Sequence, residues 1–265
     1  MDDIAAAFDD IGYLSGSPTR VEVLQHLIHE SLSRSQLESR CDASRVTLGR
    51  VLSSLEERGW IVQTEREYRA TPLGKLICTE FLSLCRTVES VRKLQQIADV
   101  LPPAFDLDPR LLADAELTVS TRADPLAPVT AFLEDPGSER CDRVLTPIAG
   151  PEAMEQSLQA VLEHGLEFQL AVSSDLLEAI RGSTKLDDRF QKLLAQESVE
   201  ARVLEEDLPY MIAIGEDRVY LGFTDEDRIP RALLTCSNEA ATDWCLAEFE
   251  RRWSAAKPVA EYLTT

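Results

Sequence analysis

Ser44, Arg45, Val46, Thr47, Arg50 and Ser53 crowd into a single stretch, "SRVTLGRVLS". Coiled as a helix, these side chains share a surface opposite Leu48, Val51, Leu52 and Leu55. The chemistry that surface offers is that of a reader of the DNA major groove. Short side chains permit close approach, a guanidinium forks onto guanine or phosphate, and a valine or threonine methyl touches thymine. Gly49 lowers helix propensity by about 1 kcal/mol relative to alanine, which suits a backbone that something must approach. Arg66 and Arg69 follow within a hairpin-like segment, placed to contact phosphate or enter the minor groove.

Other chemistry is harder to find. The sequence has no G-x-S-x-G elbow, no G-x-x-x-x-G-K-[ST] phosphate loop, no G-x-G-x-x-G and no H-E-x-x-H. His164 is the only histidine after His29, and the acidic pairs Asp187–Asp188 and Asp225–Asp227 read as solvated surface. No enzymatic activity is expected. His26 and His29, with Glu22 and Glu30 near, have no further histidine or cysteine obviously placed to complete a ligand set, so neither a metal nor a cofactor is expected. The six cysteines form no C-x-x-C pair and read as small buried hydrophobes, with Cys78 and Cys85 the candidates for any redox role.

The reading surface needs a scaffold, and the first seventy-five residues supply its signals. Ser17 and Pro18 start a helix carrying Val21, Leu24, Leu27 and Ile28 at helical spacing. Ser33 and Gln36 form the capping box of a short second helix. After the turn "CDAS", a third helix runs from about Ser44 to Arg58 and stops at Gly59. "WIVQTEREYRA" then reads as a two-stranded hairpin turning at Glu65–Glu67 with Arg66 at its tip. Three helices and an arginine-tipped hairpin make a winged helix-turn-helix.

From Pro72 to about Leu101 a long helix places Ile77, Phe81, Leu84, Val88 and Val91 at alternating steps of 4 and 3, a coiled-coil seam that we expect to pair with a second copy of the chain. "LPPAFDLDPR" breaks it. Beyond, strands and helices alternate, with a hairpin in "YMIAIGEDRVYLGF" and a closing helix bearing Trp244, Phe249 and Trp253, the pattern of an α/β sheet. In such sheets small ligands bind beyond the carboxyl ends of strands. The loops there offer Thr121, Arg122, Thr146, Ser173 and Ser174, donors suited to an anionic or polyol metabolite, or ordinary helix caps.

Charge sets the solvent. The formal net charge is −20 over 265 residues, with 47 acidic residues against 27 basic, yet residues 1–75 hold 9 basic and 12 acidic. An evenly acidic, lysine-poor surface points to a halophile. At about 1 M salt the Debye length is roughly 3 Å, so distant acids barely repel DNA. Short apolar runs and an acidic start exclude a membrane span and a signal peptide, so a cytoplasmic location is expected.

"SPTRVEVLQHL", "SRVTLGRVLSSLEERGWI" and "EYRATPLGKL" resemble the haloarchaeal winged-helix regulators of the ArsR and TrmB-like group. The stretch from Pro209 to Trp253 resembles the effector-side domain of archaeal methanogenesis-type regulators. The resemblance implies a transcription regulator; the TrmB group's phospholipase-related sugar domain is implied only loosely, because no sugar-site motif accompanies it. The expected fold is mixed α/β: a winged helix-turn-helix over 1–75, a linker and dimerisation helix over 76–105 and an α/β effector or dimerisation domain over 106–265. The expected function is a homodimeric regulator reading a pseudo-palindromic operator in double-stranded DNA. A protein-interaction module, or a non-catalytic sensor of phospholipase-like fold, is the competing expectation.

Overall fold

Local signals fix the first unit. In the computed structural model, which describes residues 2–103, 105–106, 108–112 and 114–263, Ser33 Oγ accepts from the Gln36 amide while the Gln36 side chain accepts from the Ser33 amide. That box opens helix α3 (Arg34–Arg40); ahead of it lie α1 (Asp2–Ser15), α2 (Pro18–His29) and strand β1 (Leu32–Ser33). Helix α4 (Arg45–Glu57) buries Leu48, Val51, Leu52 and Leu55, each contributing about 1.5–3 kcal/mol by leaving water. Strands β2 (Ile61–Thr64) and β3 (Glu67–Ala70) form the wing, and β1 pairs with β3 to make a three-stranded sheet.

Two elements here were not foreseen. Helix α1 escapes a periodicity search because its largest apolar residues, Ile4, Phe8 and Ile11, are exposed. It is held instead by buried Leu14 and by Tyr13, whose ring is flanked by the guanidinium carbons of Arg20 at 4.1 Å and Arg58 at 4.2 Å. Strand β1 is two residues long, too short to carry an alternation signal. The wing turn is tighter than expected, comprising Glu65 and Arg66 between Thr64 and Glu67.

Helix α5 (Pro72–Leu94) is capped by Thr71, whose Oγ1 accepts from the Gly74 amide at 3.1 Å and donates to the Gly59 carbonyl at 2.7 Å. Gly74 meets backbone: a Cβ there would lie 1.9 Å from the Trp60 carbonyl oxygen. The sequence pattern reads as helix to about Leu101, but a 3-10 turn over Gln95–Ile97 ends the regular helix earlier. Its seam divides. Ile77 and Phe81 pack against the first unit's own core, whereas Leu84, Val88 and Val91 are exposed.

The chain divides into two compact units, Met1–Val88 and Glu89–Thr265. The boundary falls inside α5, because Leu94 and Ile97 already pack into the second unit's core. The break foreseen at "LPPAFDLDPR" includes Ala104 and Leu107, which lie outside the described residues.

The second unit is built on an eight-stranded sheet of order β11-β7-β6-β5-β8-β9-β10-β4. Its strands are β4 (Glu116–Val119), β5 (Arg143–Thr146), β6 (Phe168–Ser173), β7 (Val199–Leu204), β8 (Met211–Ile214), β9 (Val219–Thr224), β10 (Pro230–Cys236) and β11 (Lys257–Pro258). Only β5, β6 and β7 pair in parallel; the other neighbours are antiparallel. Near-continuous burial along β6, β8, β9 and β10 gives the sheet two buried faces. One receives α10 (Glu239–Ala255) through Phe249 and Trp253 against Leu145, Ile212 and Leu221. The other is covered by α6 (Ala127–Glu134), α7 (Pro151–His164), α8 (Ser174–Arg181) and α9 (Thr184–Leu194). A short α11 (Val259–Leu263) follows β11.

Five of the six cysteines are buried and Cys85 alone is exposed. Burial pushes the Cys141 thiol up to about 12 and that of Cys236 up to about 11. These thiols stay protonated and unreactive at neutral pH.

Candidate nucleic-acid interface

Helix α4 presents one face inward and the other to solvent. Ser44, Arg45, Val46, Thr47, Arg50 and Ser53 are all exposed, with Val46 at 65%. Ser44 caps the helix: its Oγ accepts from the Thr47 amide at 3.2 Å and lies 2.9 Å from the Thr47 hydroxyl. The first turn therefore has its polar groups fixed before any partner arrives.

The arginines differ in what they do. Arg45 Nε donates to Glu38 Oε2 at 3.0 Å, and Arg34 also pairs with Glu38 at 3.4 Å. Arg58, the third arginine of the segment, turns away to pair with Asp10 and to stack on Tyr13. Arg50, Arg66 and Arg69 are exposed and, among the described residues, have no ion pair. Their full charge faces solvent.

Arg34 was not singled out in the sequence, yet it joins the two helices. Its Nη2 donates to the Arg45 carbonyl at 2.8 Å, and a Cβ at position 49 would lie 3.0 Å from the same nitrogen. The close approach expected at Gly49 is thus made by Arg34 of the preceding helix. A lone arginine at a helix start carries no sequence signal for this role; the glycine was the visible half of the pair.

The wing places Arg66 at its tip and Arg69 on β3 opposite Val62. Glu65 holds a left-handed backbone with φ of 59°. For an L-residue that conformation costs about 1–2 kcal/mol, while glycine there would loosen the unfolded chain by about 0.4–1 kcal/mol. Glu65→Gly is therefore expected to stabilise the first unit by about 0.5 kcal/mol, read as a higher unfolding midpoint. A lower midpoint would mean that the carboxylate contributes more than the strain removes.

His26 does meet a thiol. Glu22, His26 and Cys41 place one ligand atom each within 4.8 Å of one another, the one such group among the described residues, and His29 is not part of it. Burial, with Glu22 adding to it, pushes the Cys41 thiol up.

The residues marked for ligand binding in the second unit do not converge. The Thr121 and Ser173 hydroxyls accept from the amides of Asp124 at 3.0 Å and Leu176 at 3.2 Å, closing local turns. Thr146 Oγ1 donates to the Ile148 carbonyl at 2.6 Å. Arg122 is exposed and Ser174 opens α8. Strand β4, which leads to Thr121, lies four places from β5 in the sheet, roughly 19 Å at about 4.8 Å per strand. Thr146 alone lines a cavity, taken up below.

Comparison with known proteins follows the same division. Residues 8–93 match the HVO_A0261 N-terminal domain. Residues 125–255 match the middle domain of the methanogenesis regulatory protein FilR1. The HVO_A0261-type match takes in α2 to α4, the wing and nearly all of α5, and so every residue of the interface above; the FilR1-type match begins just before α6 and ends with α10. No curated protein matches the chain. Among solved structures, the chain is similar to TrmBL2, an archaeal chromatin protein, at 16% identity and a TM-score of 0.39 over 94% of this chain and 99% of that one. It is also similar to the phospholipase D family member Nuc from Salmonella typhimurium (12% identity, TM-score 0.41) and to NucT from Helicobacter pylori (12%, 0.43), each over 55% of this chain and 98% of the other. Among the described residues, no helix is long and apolar enough to cross a membrane.

Proposed function

We propose that the chain is a DNA-binding transcriptional regulator whose α4 enters the major groove while the wing grips the adjacent backbone. The observation that carries this reading is the exposed face from Ser44 to Ser53, preformed by its cap, beside three arginines that have no carboxylate partner among the described residues. The FilR1-type match, described as a regulatory protein, supports it. Two copies present two reading heads to a pseudo-palindromic operator. The exposed stripes Ile4, Phe8 and Ile11 on α1 and Leu84, Val88 and Val91 on α5 are the surfaces proposed for pairing. The second unit senses a metabolite or dimerises, and the protein works in the cytoplasm of a salt-loving archaeon.

Titration of a labelled duplex by fluorescence anisotropy across a potassium chloride series tests the reading. Each phosphate neutralised adds about 0.9 to the slope of log affinity against log salt. Arg66→Ala is expected to weaken binding alike on all sequences and to lower that slope by about 1 per reading head. An unchanged slope would remove the wing from the interface. Absence of duplex binding at every salt concentration would leave the face to a protein partner.

A further inference from the structure

On the sheet face covered by α6 to α9, the core is not continuous. One cluster gathers Met154, Leu158, Phe168 and Leu170 under α7; a smaller one gathers Cys141, Ala213, Tyr220 and Leu233 under α6, and the two meet only through Val144. Between them lies a cavity of about 280 Å³. A pocket of this size, open at one side and lined mainly by apolar side chains, is the usual setting of a small-molecule site.

The sequence makes the room in a particular way. Several of the lining residues are small: Ala149 and Gly150 ahead of α7, Ala153 and Ser157 on it, and Gly222 on β9. A Cβ at Gly222 would already crowd Met211 at 3.2 Å. Around that gap stand Phe132, Leu133, Met154, Leu170, Met211 and Leu233, all carbon and thioether. Met154 and Met211 are the only methionines of the chain after Met1, and both line the cavity. Methionine is flexible and polarizable and recurs where a surface must adapt to varied apolar shapes.

Polar side chains are few: the Ser157 and Thr224 hydroxyls join Thr146, Glu152 and Arg228 in the lining. The Thr146 hydroxyl is committed to the Ile148 carbonyl. Arg228 pairs with Asp207 and donates to the Leu208 carbonyl at 3.0 Å. Glu152 is exposed. A polyol inside would find few partners for its several hydroxyls, which is costly, whereas a lining so largely apolar suits a hydrocarbon chain.

We propose that this cavity binds a medium-chain one-ended amphiphile, an aliphatic alcohol or acid of on the order of ten heavy atoms at about 30 Å³ each. Its apolar body lies between Met154 and Met211, and its polar end leaves past Glu152 and Arg228. This gives the second unit of the proposed regulator its ligand class; the binding step itself needs no DNA.

The full chain labelled at its methionine methyls with carbon-13 supplies the test, with 1-octanol and octanoate as probes and glycerol as the polar control, all without DNA. The Met154 and Met211 methyl resonances are expected to move saturably with octanol, octanoate or both, whichever responds fixing the charge of the head. Ala153→Leu combined with Ser157→Leu fills the space and should weaken that response at least tenfold. Three results would overturn the proposal: no movement in the wild-type chain, an undiminished response in a folded double variant, or saturation by glycerol. If the double variant does not fold, the wild-type methyl shifts decide alone. Loss of duplex binding would leave this result untouched, and failure here would leave the winged helix untouched.

Discussion

Gly74→Ala is expected to destabilise the first unit by about 3 kcal/mol or more. The added methyl would lie 1.9 Å from the Trp60 carbonyl oxygen and 2.7 Å from its carbon. Neither atom is the end of a flexible side chain. Both belong to the strand entry that Thr71 clamps, since the Thr71 amide donates to the same Trp60 carbonyl at 2.9 Å. Relief of the clash must therefore break the Thr71 cap, shift the base of the wing or unwind the first turn of α5. Hydrogen exchange should show lost protection in α2 to α4 and in the wing. Gly12→Ala is the control: nothing lies within 4 Å of that position, and an alanine inside α1 should add up to about 1 kcal/mol of helix propensity. Wild-type protection in Gly74→Ala would mean that the Trp60 carbonyl moves freely, and that the neck of the wing is looser than its hydrogen bonds imply.

Arg50→Ala is expected to weaken operator binding by about 1–3 kcal/mol, a factor of about 5 to 150. The exposed guanidinium has no ion pair among the described residues, so a base contact would be gained without breaking one. Arg45→Ala should cost less, because Arg45 already pairs with Glu38 and a surface pair of that kind contributes up to about 1 kcal/mol. Anisotropy titrations on operator and on scrambled duplex, run near molar potassium salt, separate two roles for Arg50. A loss confined to the operator marks a base reader; equal losses on both would reassign Arg50 to phosphate.

What the sequence disclosed and what it hid follow from where each signal resides. The capping box of α3 and the buried stripe of α4 were legible because they depend on residues three or four apart, and the structure reproduces them, although Ser17 makes no side-chain cap bond at the start of α2. The long α/β pattern was legible for the same reason. Helix α1 was not, because its apolar residues face solvent and its anchor, Tyr13 between Arg20 and Arg58, joins positions far apart in the chain. The role of Gly49 was half legible: a glycine announces a close approach but not by whom. Strand β4 was readable as a strand, but its place at the far edge of the sheet depends on pairing with β10, more than a hundred residues later. The cavity had no signature at all. It is made by side chains that are missing, at positions scattered from Ala149 to Gly222, and a sequence shows what is present.

The burial of every cysteine but Cys85 has a practical use. A maleimide fluorophore added to the native chain will find one address, on the turn of α5 that also exposes Leu84 and Val88. Without any engineering, the molecule thus offers a single attachment point for energy-transfer or anisotropy work, beside the α5 stripe proposed above for pairing.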